Sequence, residues 1–295
     1  MWKSGWEPIG SIITRCLDDR RKARMSKSKP QILLTNDDGI ESPGLWAAAE
    51  VLSEIGYVWV AAPREQASST GRSMPLTSDG RITIKQMRVS GQDWTVHAVG
   101  GTPAQTVQHS ILEIMDQMPD LVVSGINYGL NLGLAVTVSG TVGAAIEAAT
   151  FGIPSLAVSL ETDIEHFYTH SAEIDFRCAA YFTGFFAKRL LDPTLDLGSR
   201  FLKLEIPAEA GKDTPWELTR LDLDRYYIAT PGERTDWDKP HQLGFYARTD
   251  YENFAPGTDS YVTLVERKVS VTPLSLDMTA GISFEKMRDQ FNRPD

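Results

Sequence analysis

The chain has 295 residues, a formal net charge of −10 and 23% charged residues. This is an ordinary globular balance, with enough length for one large α/β core or two smaller domains. The negative charge, with no basic block in the core region, argues against a nucleic-acid polymer as partner, since binding a phosphate backbone needs a positive surface. A small phosphorylated ligand is not excluded. Two cysteines, Cys16 and Cys178, cannot build a disulfide framework and fit a reducing compartment, read as the cytoplasm. No stretch approaches membrane-spanning length, so no membrane partner is expected.

Residues 1–28 carry only a weak apolar patch, Ile9–Ile13, followed by the charged run LDDRRKARMSKS. They read as a mobile extension without a signal-peptide pattern, and Met25 offers an alternative start. The stretch QILLTNDDG at 31–39 then predicts a buried strand over Ile32–Thr35 that runs into two adjacent acids, Asp37 and Asp38. A helix is predicted over Leu45–Ile55 and a second buried strand over Tyr57–Ala62. Arg64–Met74 is a hydroxyl-rich loop. Arg81–Met87 and Trp94–Val99 alternate like half-exposed strands joined at Ser90-Gly91. Thr102 caps a helix that begins at Pro103 and ends near Pro119. Leu121–Ser124 is a third buried strand, leaving through Gly125-Ile126-Asn127 into the Gly/Asn-rich loop Tyr128–Gly133. Ser139-Gly140-Thr141 precedes a small-residue helix ending at Gly152. Further strands are predicted over Ser155–Leu160 and Phe201–Ile206, with a long amphipathic helix over His170–Leu191 between them. Leu218–Asp222 is strand-like, 222–257 has no clear period, Tyr261–Pro273 reads as a strand and Thr279–Phe291 as a closing helix.

Strands alternating with helices imply a parallel sheet with right-handed crossovers. Ligands of such sheets sit beyond the carboxyl ends of the strands. Asp37-Asp38, Ser68, Asn127 and the 139–141 turn all follow strands, so separate polar loops converge on one edge. Adjacent carboxylates raise each other's cost of ionisation unless a cation lies between them, and hard divalent cations take oxygen ligands. A helix cap with a solvated neighbour explains Asp37-Asp38 equally well. Ser139-Gly140-Thr141 is similarly double-sided: a helix-start anion site, or a plain Ser or Thr cap. P-loop, dinucleotide and nucleophile-elbow patterns are absent, and His166/His170 (HFYTH) lacks the glutamate of a zincin.

ILLTNDDGIESPG, APREQASSTG, GGTPA, SGINYGLNLG, SGTVGAAIEAATFGIPSLAVSL and SVTPLSLDMT occur in that order. Together they resemble the SurE family of survival proteins, which are metal-dependent 5′(3′)-nucleotidases, across residues 30–280. The resemblance implies an α/β fold with a Rossmann-like, three-layer core, placed here at 29–221. Residues 222–295 would form an irregular arm, strand and helix that pack on the core and on a partner subunit in a homodimer or homotetramer. It implies one Mg²⁺ or Mn²⁺ per subunit on Asp37, Asp38, Ser68 and Asn127, with the two acids catalytic. Phosphate contacts would fall on Asn131, Ser139, Gly140 and Thr141 of a bound nucleoside monophosphate. The chain departs from the family pattern at Leu134-Ala135, Val138, GTPAQT and Arg267-Lys268, none of which is an implied metal ligand. A non-catalytic nucleotide-binding module remains the alternative. An aspartyl-phosphate phosphatase is a weaker rival, because that chemistry uses DxD and these acids are contiguous.

Overall fold

The computed structural model describes residues 29–293 except Tyr168, His170 and Ala172; the extension expected over 1–28 lies outside these residues. The first apolar run forms β1 (Gln31–Thr35), with Ile32, Leu33, Leu34 and Thr35 all fully buried. It is central because it pairs in parallel with β2 (Tyr57–Pro63) on one side and β5 (Leu121–Tyr128) on the other. Beyond β2 lies the hairpin β3 (Ile82–Val89) and β4 (Gln92–Val99). Ser90 at φ 49° and Gly91 at φ 81° turn it in the twist that two-residue hairpins favour. Beyond β5 come β6 (Ser155–Leu160) and β7 (Phe201–Ile206), both as expected from sequence. The nine-stranded order is β3-β4-β2-β1-β5-β6-β7-β11-β8, with β8 at Trp216–Leu218 and β11 at Val269–Pro273. Only the β3–β4 and β7–β11 pairs in it are antiparallel.

Alternation along β1 assigns the two faces. Ile32 and Leu34 join α1 (Pro43–Ser53) and α4 (Arg177–Leu191) in one apolar layer through Leu45, Leu52, Phe182 and Phe186. Leu33 points the other way, toward Val107 of α2 (Pro103–His109) and Ala144 and Ala148 of α3 (Gly140–Thr150). The result is a three-layer α/β/α sandwich around a mostly parallel sheet. Such strands are covered on both faces, which is why they read as unbroken apolar runs.

Several boundaries differ from expectation. The helix expected over His170–Leu191 begins at Arg177; Asp175 accepts the Arg177 N–H at 2.9 Å and fixes a turn before it. His170 and Ala172 lie outside the described residues. The Pro103 helix ends at His109 and continues as one π turn, Ser110–Ile114, to Met115. The strand expected over Leu218–Asp222 is instead Trp216–Leu218. Tyr261–Pro273 is not one strand: Thr258 caps α5 (Asp259–Leu264) by accepting the Tyr261 N–H at 3.3 Å, and only Val269–Pro273 is extended. The irregular stretch holds an antiparallel hairpin, β9 (Tyr227–Thr230) with β10 (Gly244–Ala247). The last helix is α6 (Phe284–Phe291), with no buried residue.

The third strand also outruns its expected end at Ser124. β5 continues to Tyr128 with a register shift between Ser124 and Asn127. Gly125 makes this possible: its φ is 134°, and a Cβ there would lie 2.4 Å from the Val158 carbonyl oxygen. Asn127 therefore sits inside the strand end, opposite Ser159 of β6.

Candidate active site

Asn36 closes the turn after β1 by accepting the Gly39 N–H through Oδ1 and donating Nδ2 to the Gly39 carbonyl, each at 3.1 Å. That turn leaves Asp37 and Asp38 only 4% and 2% exposed at the carboxyl edge of the sheet. Burial pushes the Asp37 carboxyl up to about 6, partly offset by the Thr141 hydroxyl. Asp38 is held well above the usual carboxylate range by burial and by the charge of Asp37 beside it. A bound cation would reverse both effects.

Thr141 Oγ1 donates to Asp37 Oδ1 at 2.5 Å, so the first turn of α3 lies directly against the acid pair. Gly140 permits the approach, because a Cβ there would meet Asp37 Cβ at 2.7 Å and Asp37 Oδ2 at 2.8 Å. Ser139 caps α3 by accepting the Val142 N–H at 3.1 Å. The Thr141 backbone also bonds the Asp37 carboxyl, and a helix start of this kind, with first-turn amides that have no partner in the helix, is a geometry that receives anions.

The 64–74 loop closes the next side. Ala67 N–H donates to the Asp37 carbonyl at 2.7 Å, and Gly71 N–H to the Val138 carbonyl at 2.8 Å. Gln66 is a hub that the sequence reading missed. Its Nε2 donates to Asp38 Oδ1 at 3.3 Å, to Ser68 Oγ at 3.1 Å and to the Phe167 carbonyl at 2.6 Å. Ser68 is thus brought toward Asp38. Neighbouring Thr70 uses its hydroxyl on the Ala67 carbonyl, and Ser69 is exposed with φ 61°. Arg72 anchors the end of the loop to buried Glu147 of α3 at 2.5 Å.

From β5, Tyr128 N–H donates to Asp38 Oδ2 at 3.4 Å, setting Asn127 next to the acids. Asn127 Nδ2 donates to the Tyr128 and Gly129 carbonyls, at 3.1 and 2.7 Å, so that its amide oxygen could face a cation. Asn131, in the loop after β5, reaches β6 with its Nδ2 on Ser159 Oγ at 2.9 Å. A cavity of about 330 Å³ opens beside Gln66 and Ala67 toward Arg64, Ser78, Asp79 and Gly101. Among the described residues no three His, Cys, Asp or Glu side chains converge on a metal. The donor set is two carboxylates with neutral amide and hydroxyl oxygens, which suits a hard divalent cation. A second missed group is the buried Lys203, Glu205 and Asp259 cluster behind Asn131. Its only sequence signal was charge in the otherwise apolar FLKLEI.

The family described as Survival protein SurE matches residues 32–227. A 5′-nucleotidase SurE from Thermococcus gammatolerans is 44% identical over 259 residues, covering 88% of this chain and 95% of its own. One of the same name from Thermococcus kodakarensis is 41% identical, covering 88% and 97%. The crystal structure of the SurE protein from Aquifex aeolicus superposes with a TM-score of 0.69 at 31% identity, covering 89% of this chain and all of that one. With a family match over most of its length, relatives this similar and the same three-layer fold, the chain belongs to the SurE family.

Proposed function

We propose that this chain is a metal-dependent 5′-nucleotidase, a phosphatase that converts nucleoside monophosphates to nucleoside and phosphate, with 3′-monophosphates as further substrates. The observation that carries it is the 2.5 Å contact between buried Asp37 and Thr141 across the Gly140 gap. It sets a cation-type acid pair against an anion-type helix start. The SurE nucleotidase names of the relatives agree with it.

One Mg²⁺ or Mn²⁺ per subunit fits Asp37, Asp38, Ser68 and Asn127. Bound there, such a cation supplies Lewis-acid polarisation of a phosphoryl oxygen and a lowered pKa for bound water. Ser139, Gly140 and Thr141, with Asn131, hold the phosphate in place for in-line attack through backbone amides and the asparagine side chain. Asp38 orients the attacking water and takes its proton. A new P–O bond forms from that water while the P–O bond to the nucleoside breaks and its oxygen picks up a proton.

The subunit is read as part of a homodimer or homotetramer. Phe284, Met287 and Phe291 of α6, and Trp237, Phe245 and Tyr246 around β9–β10, are exposed, more apolar surface than scattered single residues explain. No helix among the described residues is long and apolar enough to cross a membrane, and the cytoplasm is the proposed compartment.

The test is phosphate release from a panel of nucleoside 5′- and 3′-monophosphates with Mg²⁺, with Mn²⁺ and with EDTA. Turnover that needs the metal and vanishes in EDTA is expected. Folded protein that binds nucleotide but releases no phosphate under any condition would make it a binding module instead.

A further inference from the structure

Lys203 and Glu205 lie two residues apart on one face of β7, both with fully buried side chains. Lys203 Nζ donates to three oxygens: Asp259 Oδ2 at 2.8 Å, the Asn131 carbonyl at 3.0 Å and Glu205 Oε1 at 3.1 Å. Burial disfavours the ammonium, but Asp259 and Glu205 more than offset this and hold its pKa above the ordinary lysine value. Glu205 Oε2 accepts the Asn131 N–H at 2.8 Å. Asp259 Oδ2 also accepts the Gly133 N–H at 2.8 Å, while Oδ1 accepts from Asp222 and Ser260.

Both main-chain groups of Asn131 and the amide of Gly133 therefore end on three buried charges. Their targets are narrow. Asn131 is the candidate phosphate contact, and Gly133 opens the turn (Gly133–Thr137) that leads to Ser139 and α3. Stability is a poor explanation for such a cluster, because well-packed apolar side chains often replace buried ion pairs at no loss. Position is a better one. Lys203 and the Asn131 N–H use different oxygens of Glu205; a carboxylate offers both, whereas a glutamine there would turn an NH₂ donor toward one of the two donors.

We propose that Lys203 and Glu205, backed by Asp259, are positioning residues that set the phosphate loop 131–133. This assignment rests on the phosphatase reading above. They act through Asn131 and touch no substrate themselves. A phosphate held by a correctly set loop is held alike before and during reaction, so loosening the loop removes uniform binding.

The test compares full-length wild type with Glu205→Gln and Asp259→Asn. Readouts are KM and kcat on a nucleoside 5′-monophosphate, inhibition by inorganic phosphate, and Mn²⁺ affinity by calorimetry. Losing one charge-assisted hydrogen bond to the loop should raise KM and the phosphate inhibition constant about tenfold, with kcat within about threefold. Mn²⁺ affinity should stay within about twofold of wild type. In wild type, the Asn131 and Gly133 amides should resist hydrogen exchange as long as those of β1, a readout that needs no variant to fold. Unchanged phosphate inhibition in folded variants, equal loss of Mn²⁺ and phosphate binding, or rapid exchange of those two amides overturns the assignment. A wild type that neither binds phosphate nor releases it from any nucleotide overturns the phosphatase reading, and the assignment with it.

Discussion

Gly140→Ala isolates the geometry that the functional reading depends on. In the first turn of a helix, at a φ open to any residue, Gly→Ala normally stabilises by about 0.4–1 kcal/mol by restricting the unfolded chain. Here the new methyl would stand 2.7 Å from Asp37 Cβ and 3.1 Å from the Ala67 carbonyl oxygen. Carbon atoms in contact prefer about 3.5–4.0 Å, so one side must yield by close to 1 Å. Asp37 is poorly placed to yield. Thr141 holds its carboxylate at 2.5 Å and Ala67 N–H holds its carbonyl at 2.7 Å. Overpacking of this kind costs about 1–3 kcal/mol, which outweighs the entropic gain. If it falls on the cation site, Mn²⁺ binding weakens about 5- to 150-fold. A misplacement near 1 Å also lowers kcat/KM by about 100-fold. Gly184→Ala is the matched control, since a Cβ in the middle of α4 meets only Val51, whose Cβ and Cγ2 lie at 3.7 and 3.8 Å. It should raise stability by up to about 1 kcal/mol and leave turnover alone. Calorimetric Mn²⁺ titration, phosphate release and thermal melts of the two variants read all of this. A Gly140→Ala protein that binds Mn²⁺ and turns over like wild type would falsify the close packing of α3 on Asp37 as the basis of the site.

Asp38→Asn should lower turnover by roughly 10²–10³-fold or more, while the metal-free variant melts no lower than wild type, because it removes a buried charge beside Asp37; full activity would sink the assignment. The raised carboxyls also set a pH dependence. Between the ordinary value of 3.8 and about 6 for Asp37, and in the same direction for Asp38, the native metal-free state holds more protons than the unfolded chain. Its stability should therefore fall as pH rises through that window, and Mn²⁺ should abolish the slope while releasing protons on binding; a melting temperature flat with pH in EDTA would contradict this. Met287→Glu, placed on the exposed apolar side of α6, should shift the assembly toward monomer by light scattering, and an unchanged mass would remove α6 from the interface.

The acids and the helix start were legible because their signals are local. ILLT before NDDG needs only an apolar run and a turn, and the Thr102 cap before Pro103 forms as expected, with the Thr102 hydroxyl accepting the Gln105 N–H at 3.2 Å. Elsewhere local signals misled. DSYVTL has the β-branched and aromatic composition of a strand, yet the Thr258 cap and tertiary packing make it α5. GINY looked like loop because Gly125 interrupts it, when the glycine is what lets β5 pass Val158 and continue. Gln66 carried no signal at all; a glutamine in a polar loop is unremarkable until the fold brings Asp38 and Phe167 to it.

The loop proposed to hold phosphate shows why part of such a site cannot be read from its own motif. Asn127, Ser159, Glu205 and Ser270 form one row across β5, β6, β7 and β11. In that row Ser159 takes the Asn131 side chain and Glu205 its amide. What holds the row is the apolar set on the opposite face of β7. Leu202, Leu204 and Ile206 belong to the layer that contains Phe182 and Phe186 of α4. A one-residue slip of β7 would bury Lys203 and Glu205 among those rings and turn the leucines toward Asn131, so the register is strongly specified. Asp259, which completes the charge cluster, lies beyond the stretch 32–227 that matches the family. The placement of Asn131 is thus fixed by hydrophobic alternation in one strand and by a helix more than 120 residues later in the chain, with Gly133 bonded to Asp259 at a separation of 126.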